Sequence, residues 1–345
     1  CTGKLPDGSD CTEIETKKIA GTGLLRVNTA SVTLGAAVVM NIGMDKSRAS
    51  NFKSTYIKFE YAGTSVDVDE LSSSTTASRY YYDFDKVSPD KFGEDVTITA
   101  YGVTEDGIVC RGHSVTTSIE SYAYKTLRKA GTRDTLKTLL VELLYYGAQY
   151  QNYMNYKTDD LVTADLTSDE AARHTTDVPE YQKLTNSKYS LNPNGDSANK
   201  VTVKAASLLL EGKVLPQIRI EIPKTSSIND FIFTWTINGK VTSFTYEEHP
   251  DWFVKTNASA NTASVNDSYF IQCNVLKANQ FSIPFYLTAY EGSVDEAHQV
   301  SNVLQYSVES YATGSTVKNN AKLKALVDQI LRYGRADVNY VGGVQ

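Results

Sequence analysis

The sequence has few of the residues from which metal, nucleotide and covalent catalytic sites are built. It holds four cysteines and four histidines among 345 residues, and none of them fits the HExxH or CxxC spacing of a metal site. No glycine-rich phosphate loop follows a strand-like segment, and no GxSxG elbow occurs. We therefore predict no metal, no cofactor and no enzyme. Glycoside hydrolysis alone stays open, because it needs only two suitably spaced carboxylates.

Long apolar runs and an excess of basic residues are also absent. No segment approaches the run of about 18 apolar residues that marks a membrane-spanning helix. The formal net charge of −6 argues against a nucleic-acid surface, which needs clustered Lys and Arg. We therefore expect neither nucleic acid nor membrane insertion.

The start of the chain and its cysteines give further expectations. The chain begins at Cys1 without an initiator Met or a signal peptide, as expected of an excised fragment or a mature form. Cys1 and Cys11 enclose a loop rich in Gly, Pro and Asp, and they either form a small disulfide or stay reduced. Cys110 and Cys273 stand alone on predicted strands, where we expect buried thiols.

What the sequence does contain is a tandem repeat. The stretch SIESYA at 118–123 returns as SVESYA at 307–312, an offset of 189 residues, and Tyr146-Gly147 returns as Tyr333-Gly334. Upstream, Val27 and Gly63 match Val203 and Gly239 at a constant offset of 176 residues. Hydrophobic content of 41% and a length suited to two domains of about 100–200 residues agree with two folded copies.

Each copy predicts strands followed by two helices. Ile57 and Phe59 alternate with polar neighbours, as do Phe231, Phe233 and Trp235, and this period of two indicates strands with one buried face. Asn238-Gly239 between apolar runs predicts a hairpin. We therefore predict an α+β fold of two similar lobes, each an antiparallel β-sandwich followed by a helical hairpin. The predicted segments are a leader (1–24), the first repeat (25–156), an inter-lobe connection (157–200) and the second repeat (201–345).

The two copies also separate scaffold from candidate site. Gly147 and Gly334 each cost a helix about 1 kcal/mol relative to Ala, so we expect both to allow close contact with the preceding helix, under Tyr122 and Tyr311. Aromatic and polar residues found in only one copy are freer to bind a ligand. The candidate binding residues are Tyr80, Tyr81, Tyr145, Tyr150, Trp235, Tyr246, His249, Asp251 and Trp252.

The two tryptophans have competing interpretations. Trp252 lies in a loop beside Pro250 and Asp251, where it either contacts a ligand or packs over the sheet. Trp235 alternates with Phe231 and Phe233, which favours the core over ligand contact. Acidic clusters around Asp69 and Asp83 lack a calcium-loop pattern, and we interpret them as solvated surface.

The surplus of 23 tyrosines, together with the Trp252 loop, suits a carbohydrate surface. Sugar rings present apolar C–H faces that stack on aromatic rings, and their hydroxyls exchange hydrogen bonds with polar side chains. Tyrosine loses little conformational entropy on binding, since it has only two χ angles. The alternative is that tyrosine decorates a β-rich surface with no ligand.

The paired motifs YSVESYA and TSIESYA, with LxYG in both second helices, resemble a module of secreted surface proteins from ruminococci and related gut anaerobes. The run YGAQYQNYMNYKTDDLVTADLT is similar to that module, whereas YGRADVNY departs from it. Within this group the chain resembles a domain of the ruminococcal starch adherence system. The resemblance implies a non-catalytic, extracellular, cell-surface protein of the amylosome, with other amylosome proteins as partners through regions outside this chain.

These inferences together predict a starch-binding module that takes up α-1,4-glucan or malto-oligosaccharides in a groove between two lobes. Two alternatives stay open. One is a structural or adhesion module that contacts proteins, and the other is a binder of another plant polysaccharide such as cellulose.

Overall fold

The strands of the described residues form four sheets, and the chain divides into two compact units. A computed structural model describes residues 14–19, 23–177, 188–210, 212–256 and 265–343. The first unit comprises Cys1–Gln151 and Lys157–Leu166, and the second comprises Asn152–Tyr156 and Thr167–Gln345. Cys1 and Cys11, for which a disulfide and reduced thiols are both open, lie outside the described residues.

The first unit holds two sheets. Its strands are Ile14–Glu15 (β1), Val27–Thr33 (β2), Val39–Asp45 (β3), Ser54–Tyr61 (β4), Thr64–Val68 (β5), Arg79–Phe84 (β6), Val96–Val103 (β7) and Val109–Thr117 (β8). One sheet has the order β1-β8-β7-β4-β5, and the other has the order β2-β3-β6. Neighbouring strands are antiparallel, apart from β1, which runs parallel to β8.

Among the described residues, the second unit repeats this strand order with one strand added, but the edge strand of its five-stranded sheet is antiparallel to its neighbour, whereas β1 is parallel to β8. Its strands are Lys188–Ser190 (β9), Thr202–Leu209 (β10), Leu215–Pro223 (β11), Ile232–Ile237 (β12), Lys240–Phe244 (β13), Phe253–Thr256 (β14), Asn266–Gln272 (β15), Phe285–Tyr290 (β16) and Val303–Tyr306 (β17). The five-stranded sheet has the order β9-β17-β16-β12-β13, which matches the five-stranded sheet of the first unit. In the other sheet, β10-β11-β15 matches β2-β3-β6, and β14 is the addition.

Aromatic side chains from alternating strand positions join the two sheets of each unit. In the first unit, Phe59 on β4 stacks on Phe84 of β6 with ring centroids 4.3 Å apart. In the second, Phe233 on β12 meets Phe253 of β14 edge to face at 5.4 Å. These rings are buried, as the period-two pattern predicts for inward-facing positions.

The predicted hairpin at Asn238-Gly239 is confirmed. Both residues adopt positive φ, 50° and 75°, and they join β12 to β13. Ala62 and Gly63 do the same between β4 and β5, with φ of 49° and 78°. Two successive left-handed residues match the twist of antiparallel strands, which is why this two-residue turn fixes the register.

The longest helix of each unit follows its strands. The helix bounds are Lys46–Ala49 (α1), Ile119–Leu127 (α2), Asp134–Met154 (α3), Ser168–Ala171 (α4), Val308–Ala312 (α5), Ser315–Lys318 (α6) and Ala321–Val341 (α7). Ser118 and Ser307 cap α2 and α5, since each hydroxyl accepts a backbone N–H three residues on. The α+β class is confirmed. Within the described ranges, no helix combines the length and apolar character needed to cross a membrane.

The two helical glycines contact a different partner from the one predicted. A Cβ on Gly334 would lie 2.7 Å from the Ala278 carbonyl oxygen, and a Cβ on Gly147 would lie 3.1 Å from the Pro89 carbonyl oxygen. Both oxygens belong to short 3-10 helices, Pro89–Lys91 and Ala278–Gln280, that precede β7 and β16. The prediction of contact with the preceding helix is therefore wrong, because these turns lie against the glycine face of α3 and α7.

Candidate functional site

The segment from Thr245 to Trp252 carries the chain from β13, at the edge of one sheet, to β14, at the edge of the other. Its first turn is held by Thr245, whose backbone N–H and hydroxyl both donate to the Glu248 carboxylate at 2.9 and 3.1 Å. The His249 N–H then donates to the Thr245 carbonyl, and the Trp252 N–H donates to the His249 carbonyl. These bonds fix the backbone that presents the aromatic rings.

Five rings meet in this segment, and we call them the Trp252 cluster: Phe244, Tyr246, His249, Trp252 and Phe253. The His249 imidazole lies parallel to the Trp252 indole, with centroids 4.0 Å apart and planes 12° apart. Phe244 packs against the indole at 5.0 Å, and Tyr246 meets Phe253 edge to face at 5.2 Å. The cluster is therefore one continuous set of ring contacts.

The cluster is anchored on one side and open on the other. Phe244 and Phe253 are 1% and 8% exposed and belong to the core between the sheets. Tyr246, His249 and Trp252 are half-buried, while Asp251 is exposed. The core thus supports the rings while their outer parts reach solvent. A surface of this kind combines apolar ring area with a nearby carboxylate that can accept hydrogen bonds.

Four of the predicted residues are brought together here: Tyr246, His249, Asp251 and Trp252. Sequence reasoning missed their anchors, Phe244 and Phe253. The signal for Phe244 is its place at the end of β13, in register with the buried Phe233 of β12. Without the strand pairing, that apolar position gives no indication that it supports a surface aromatic residue.

Two predicted binding residues are core residues instead. Trp235 is 0% exposed, and its ring packs against Phe244 and Phe285 at 6.2 and 5.8 Å. Tyr150 is 1% exposed and meets Tyr146 edge to face at 5.9 Å, because residues four apart share one face of α3. Neither ring offers surface to a ligand, so their assignment to the binding set is wrong, and Trp235 takes its alternative place in the core.

The remaining candidates, Tyr80, Tyr81 and Tyr145, belong to the first unit and are half-buried. Tyr80 and Tyr81 are successive residues of β6, so their side chains point to opposite faces of the sheet. Lys46 lies over the Tyr80 ring at 4.8 Å, and the Tyr81 ring lies against Gly43 of β3. The two tyrosines therefore do not form one surface.

Metal and thiol chemistry find little support in the described residues. Throughout those ranges, no group of three or more His, Cys, Asp or Glu side chains is placed to hold a metal ion. Cys110 and Cys273 are buried, as predicted, and burial raises the pKa of the Cys273 thiol to about 12. A thiol with so high a pKa stays protonated near neutral pH and is a poor nucleophile.

Comparison with known proteins yields no family model that matches the chain and no match among curated proteins.

Proposed function

We propose that the protein is a non-catalytic, extracellular starch-binding module, and that the second unit binds α-1,4-glucan at the Trp252 cluster. The observation that carries this proposal is a half-buried indole and imidazole stack, supported from below by two core phenylalanines. The segment that holds the stack leads into β14, which has no counterpart among the described strands of the first unit. An addition that presents aromatic rings rather than burying them all suits a ligand-binding role.

Starch is the polysaccharide favoured by the sequence resemblance, and the cluster has chemistry that fits it. Glucose rings stack on aromatic faces through their C–H groups, while Asp251 beside the rings can accept hydrogen bonds from hydroxyls. Glu247 and Glu248 are also exposed in the same turn, although Glu248 is already bonded to Thr245. An aromatic surface with few fixed polar groups binds a glycan chain without needing catalytic residues.

Trp252→Ala is expected to abolish retention on insoluble starch, because it removes the largest ring of the cluster. Titration of the unchanged protein with long malto-oligosaccharides should shift its tryptophan fluorescence. The second tryptophan, Trp235, is fully buried, so the shift reports on Trp252. Val254→Ala is the matched control: Val254 is 45% exposed on the neighbouring β14 and stands outside the ring cluster.

Each outcome of the retention assay has a definite meaning. Retention on cellulose rather than starch would transfer the proposal to another plant polysaccharide. Retention on no polysaccharide, with no fluorescence shift, would overturn it in favour of a protein-contacting module. New reducing ends released from starch would contradict the non-catalytic part of the proposal.

His249→Ala is expected to strengthen glycan binding by about two- to tenfold. The imidazole covers one face of the indole, so a glucose ring reaches that face only by displacing it. Breaking such a ring pair costs about 0.5–1.5 kcal/mol, and glycan binding to the alanine variant does not include this cost. Isothermal titration with maltoheptaose would measure the change. Weaker binding by the variant would show instead that the glycan stacks on the imidazole itself.

A further inference from the structure

The chain crosses between the two sheets of the first unit at the same place in the fold as the segment that carries the Trp252 cluster. It leaves β5, at the edge of the five-stranded sheet, and enters β6, at the edge of the three-stranded sheet. In the second unit, the segment from Thr245 to Trp252 leaves the corresponding edge strand, β13. The crossing at residues 69–78 is therefore the first unit's counterpart of the candidate site.

An aromatic ring lies next to this crossing, on the outer face of the three-stranded sheet. Tyr81 of β6 stands opposite Gly43 of β3, whereas the next residue, Tyr82, points inward and is buried. A Cβ on Gly43 would lie 2.9 Å from Tyr81 Cε1 and 3.3 Å from its Cζ. Because glycine has no side chain, the Tyr81 ring can lie across the neighbouring strand. Tyr81 is half-exposed, so the outer side of the ring is open to a ligand.

This position of the ring has a cost for the sheet. Thr29 of β2 stands on the other side of Gly43, and its Oγ1 would lie 2.2 Å from the same added Cβ. That hydroxyl oxygen is buried and has no hydrogen-bond partner in the part of the chain that the structure describes. A buried polar group without a partner costs about 1–3 kcal/mol. The stability of the sheet therefore does not account for the ring, and a binding role does.

An oriented carboxylate stands beside the ring on the same face. Asp83 is two residues further along β6, about 6.5–7 Å from Tyr81 along the strand. Asn41 donates to Asp83 Oδ1 at 2.5 Å, and the Ser72 hydroxyl donates to Asp83 Oδ2 at 2.6 Å. Asn41 is only 8% exposed, and its amide also donates to Ser74 Oγ at 2.9 Å. A carboxylate has about four lone-pair sites, so Asp83 can accept further hydrogen bonds in a fixed direction.

The Asp83 carboxylate opens into a cleft with a volume of about 300 Å³. Two hydroxyls, two carboxylates and two apolar side chains line this cleft: Ser72, Ser73, Glu70, Asp83, Val68 and Leu71. Ligand pockets have volumes of about 300–1,000 Å³, so the cleft suits a small part of a longer ligand. A ring for stacking, a fixed acceptor and flanking hydroxyls are the groups that sugar recognition uses.

We propose that the first unit holds a second α-glucan site, in which one glucose residue stacks on Tyr81 and the next donates hydroxyl hydrogen bonds to Asp83. The choice of ligand rests on the proposed function of the second unit. A starch granule presents many glucan chains, and two sites on one protein chain raise the overall affinity by about 10²–10⁴ over a single site. The expected loss of starch retention in Trp252→Ala then reflects lost avidity, so this variant still binds soluble oligosaccharide through the first unit.

The test is isothermal titration of the full chain with maltoheptaose. The forms compared are the unchanged protein, Trp252→Ala, and Trp252→Ala combined with either Tyr81→Ala or Tyr80→Ala. Trp252→Ala should keep measurable binding, and adding Tyr81→Ala should abolish it. Tyr80→Ala is the matched control, because Tyr80 is the preceding tyrosine of β6, is also half-buried, and points to the opposite face of the sheet. It should change the Kd of the remaining site by less than about twofold.

Asp83→Ala keeps the test decisive if Tyr81→Ala fails to fold, because Asp83 is exposed. In the Trp252→Ala background it should weaken binding about tenfold or more, since it removes hydrogen bonds to a charged group. Residual binding that neither substitution weakens would overturn the second site. So would a Trp252→Ala variant that binds no maltoheptaose while the unchanged protein binds it, and the Trp252 cluster would then be the one glucan site. No binding by the unchanged protein would overturn both proposals.

Discussion

Trp235→Ala is expected to lower the free energy of unfolding of the second unit by about 3–5 kcal/mol. Trp235 is 0% exposed on β12 and packs on Phe244 and Phe285, so its removal leaves a large cavity where the surrounding strands cannot close. Urea unfolding followed by tryptophan fluorescence measures the change in this unit alone. The remaining reporter, Trp252, belongs to the same unit, and the first unit has no tryptophan.

Trp235→Phe distinguishes the effect of the cavity on stability from the effect of the buried indole N–H. The indole N–H of Trp235 is buried and finds no acceptor among the described residues, which costs about 1–3 kcal/mol. Phenylalanine removes that cost and leaves a smaller void, so we expect a loss of less than about 1.5 kcal/mol. A loss of stability in Trp235→Phe as large as that in Trp235→Ala would contradict this account. So would a Trp235→Ala variant whose free energy of unfolding lies within about 1 kcal/mol of that of the unchanged protein.

The elements that follow a local pattern could be predicted from the sequence. The alternation around Phe59 and Phe233 marks inward-facing strand positions, and Asn238-Gly239 marks a turn, because both depend on residues that are neighbours in the chain. The loop with Trp252 could be selected for its composition. The packing of Phe244 against Trp252 could not be predicted, since that contact depends on which strands form the edges of the two sheets.

The comparison between the two copies of the repeat does not identify binding residues where the same buried position holds a different residue in each copy. Tyr150 and Asp337 correspond, and they differ so strongly that Tyr150 was predicted to bind a ligand. Both are buried: Tyr150 packs on Tyr146, and Asp337 accepts the backbone N–H of Asn279. Each residue compensates for different neighbours, so a difference between copies indicates altered packing as readily as a binding function.

Gly334→Ala is expected to lower the free energy of unfolding of the second unit by about 1 kcal/mol, the net of an overpacking cost and a helix gain. Two effects compete at this position. Alanine favours the helix by about 1 kcal/mol. Against that, the new Cβ would lie 2.7 Å from the Ala278 carbonyl oxygen, a backbone atom, and 2.9 Å from the Phe281 ring. Overpacking of this kind costs about 1–3 kcal/mol. The turn cannot retreat freely, because Asn279 is bonded to Asp337 of the same helix.

The clash outweighs the helix preference only if the 3-10 turn is held in place, and a substitution at the residue next to Gly334 serves as the control. Arg335→Ala changes an exposed residue of α7, and its free energy of unfolding should stay within about 0.5 kcal/mol of that of the unchanged protein.

At Gly147 the nearest atom to an added Cβ is Val162 Cγ2, a side-chain atom, at 2.9 Å. Gly147→Ala should therefore cost less in a Val162→Ala background, giving a coupling of about 0.5 kcal/mol or more in calorimetry. Additive losses would show that the Pro89 carbonyl, rather than Val162, makes glycine necessary in this helix.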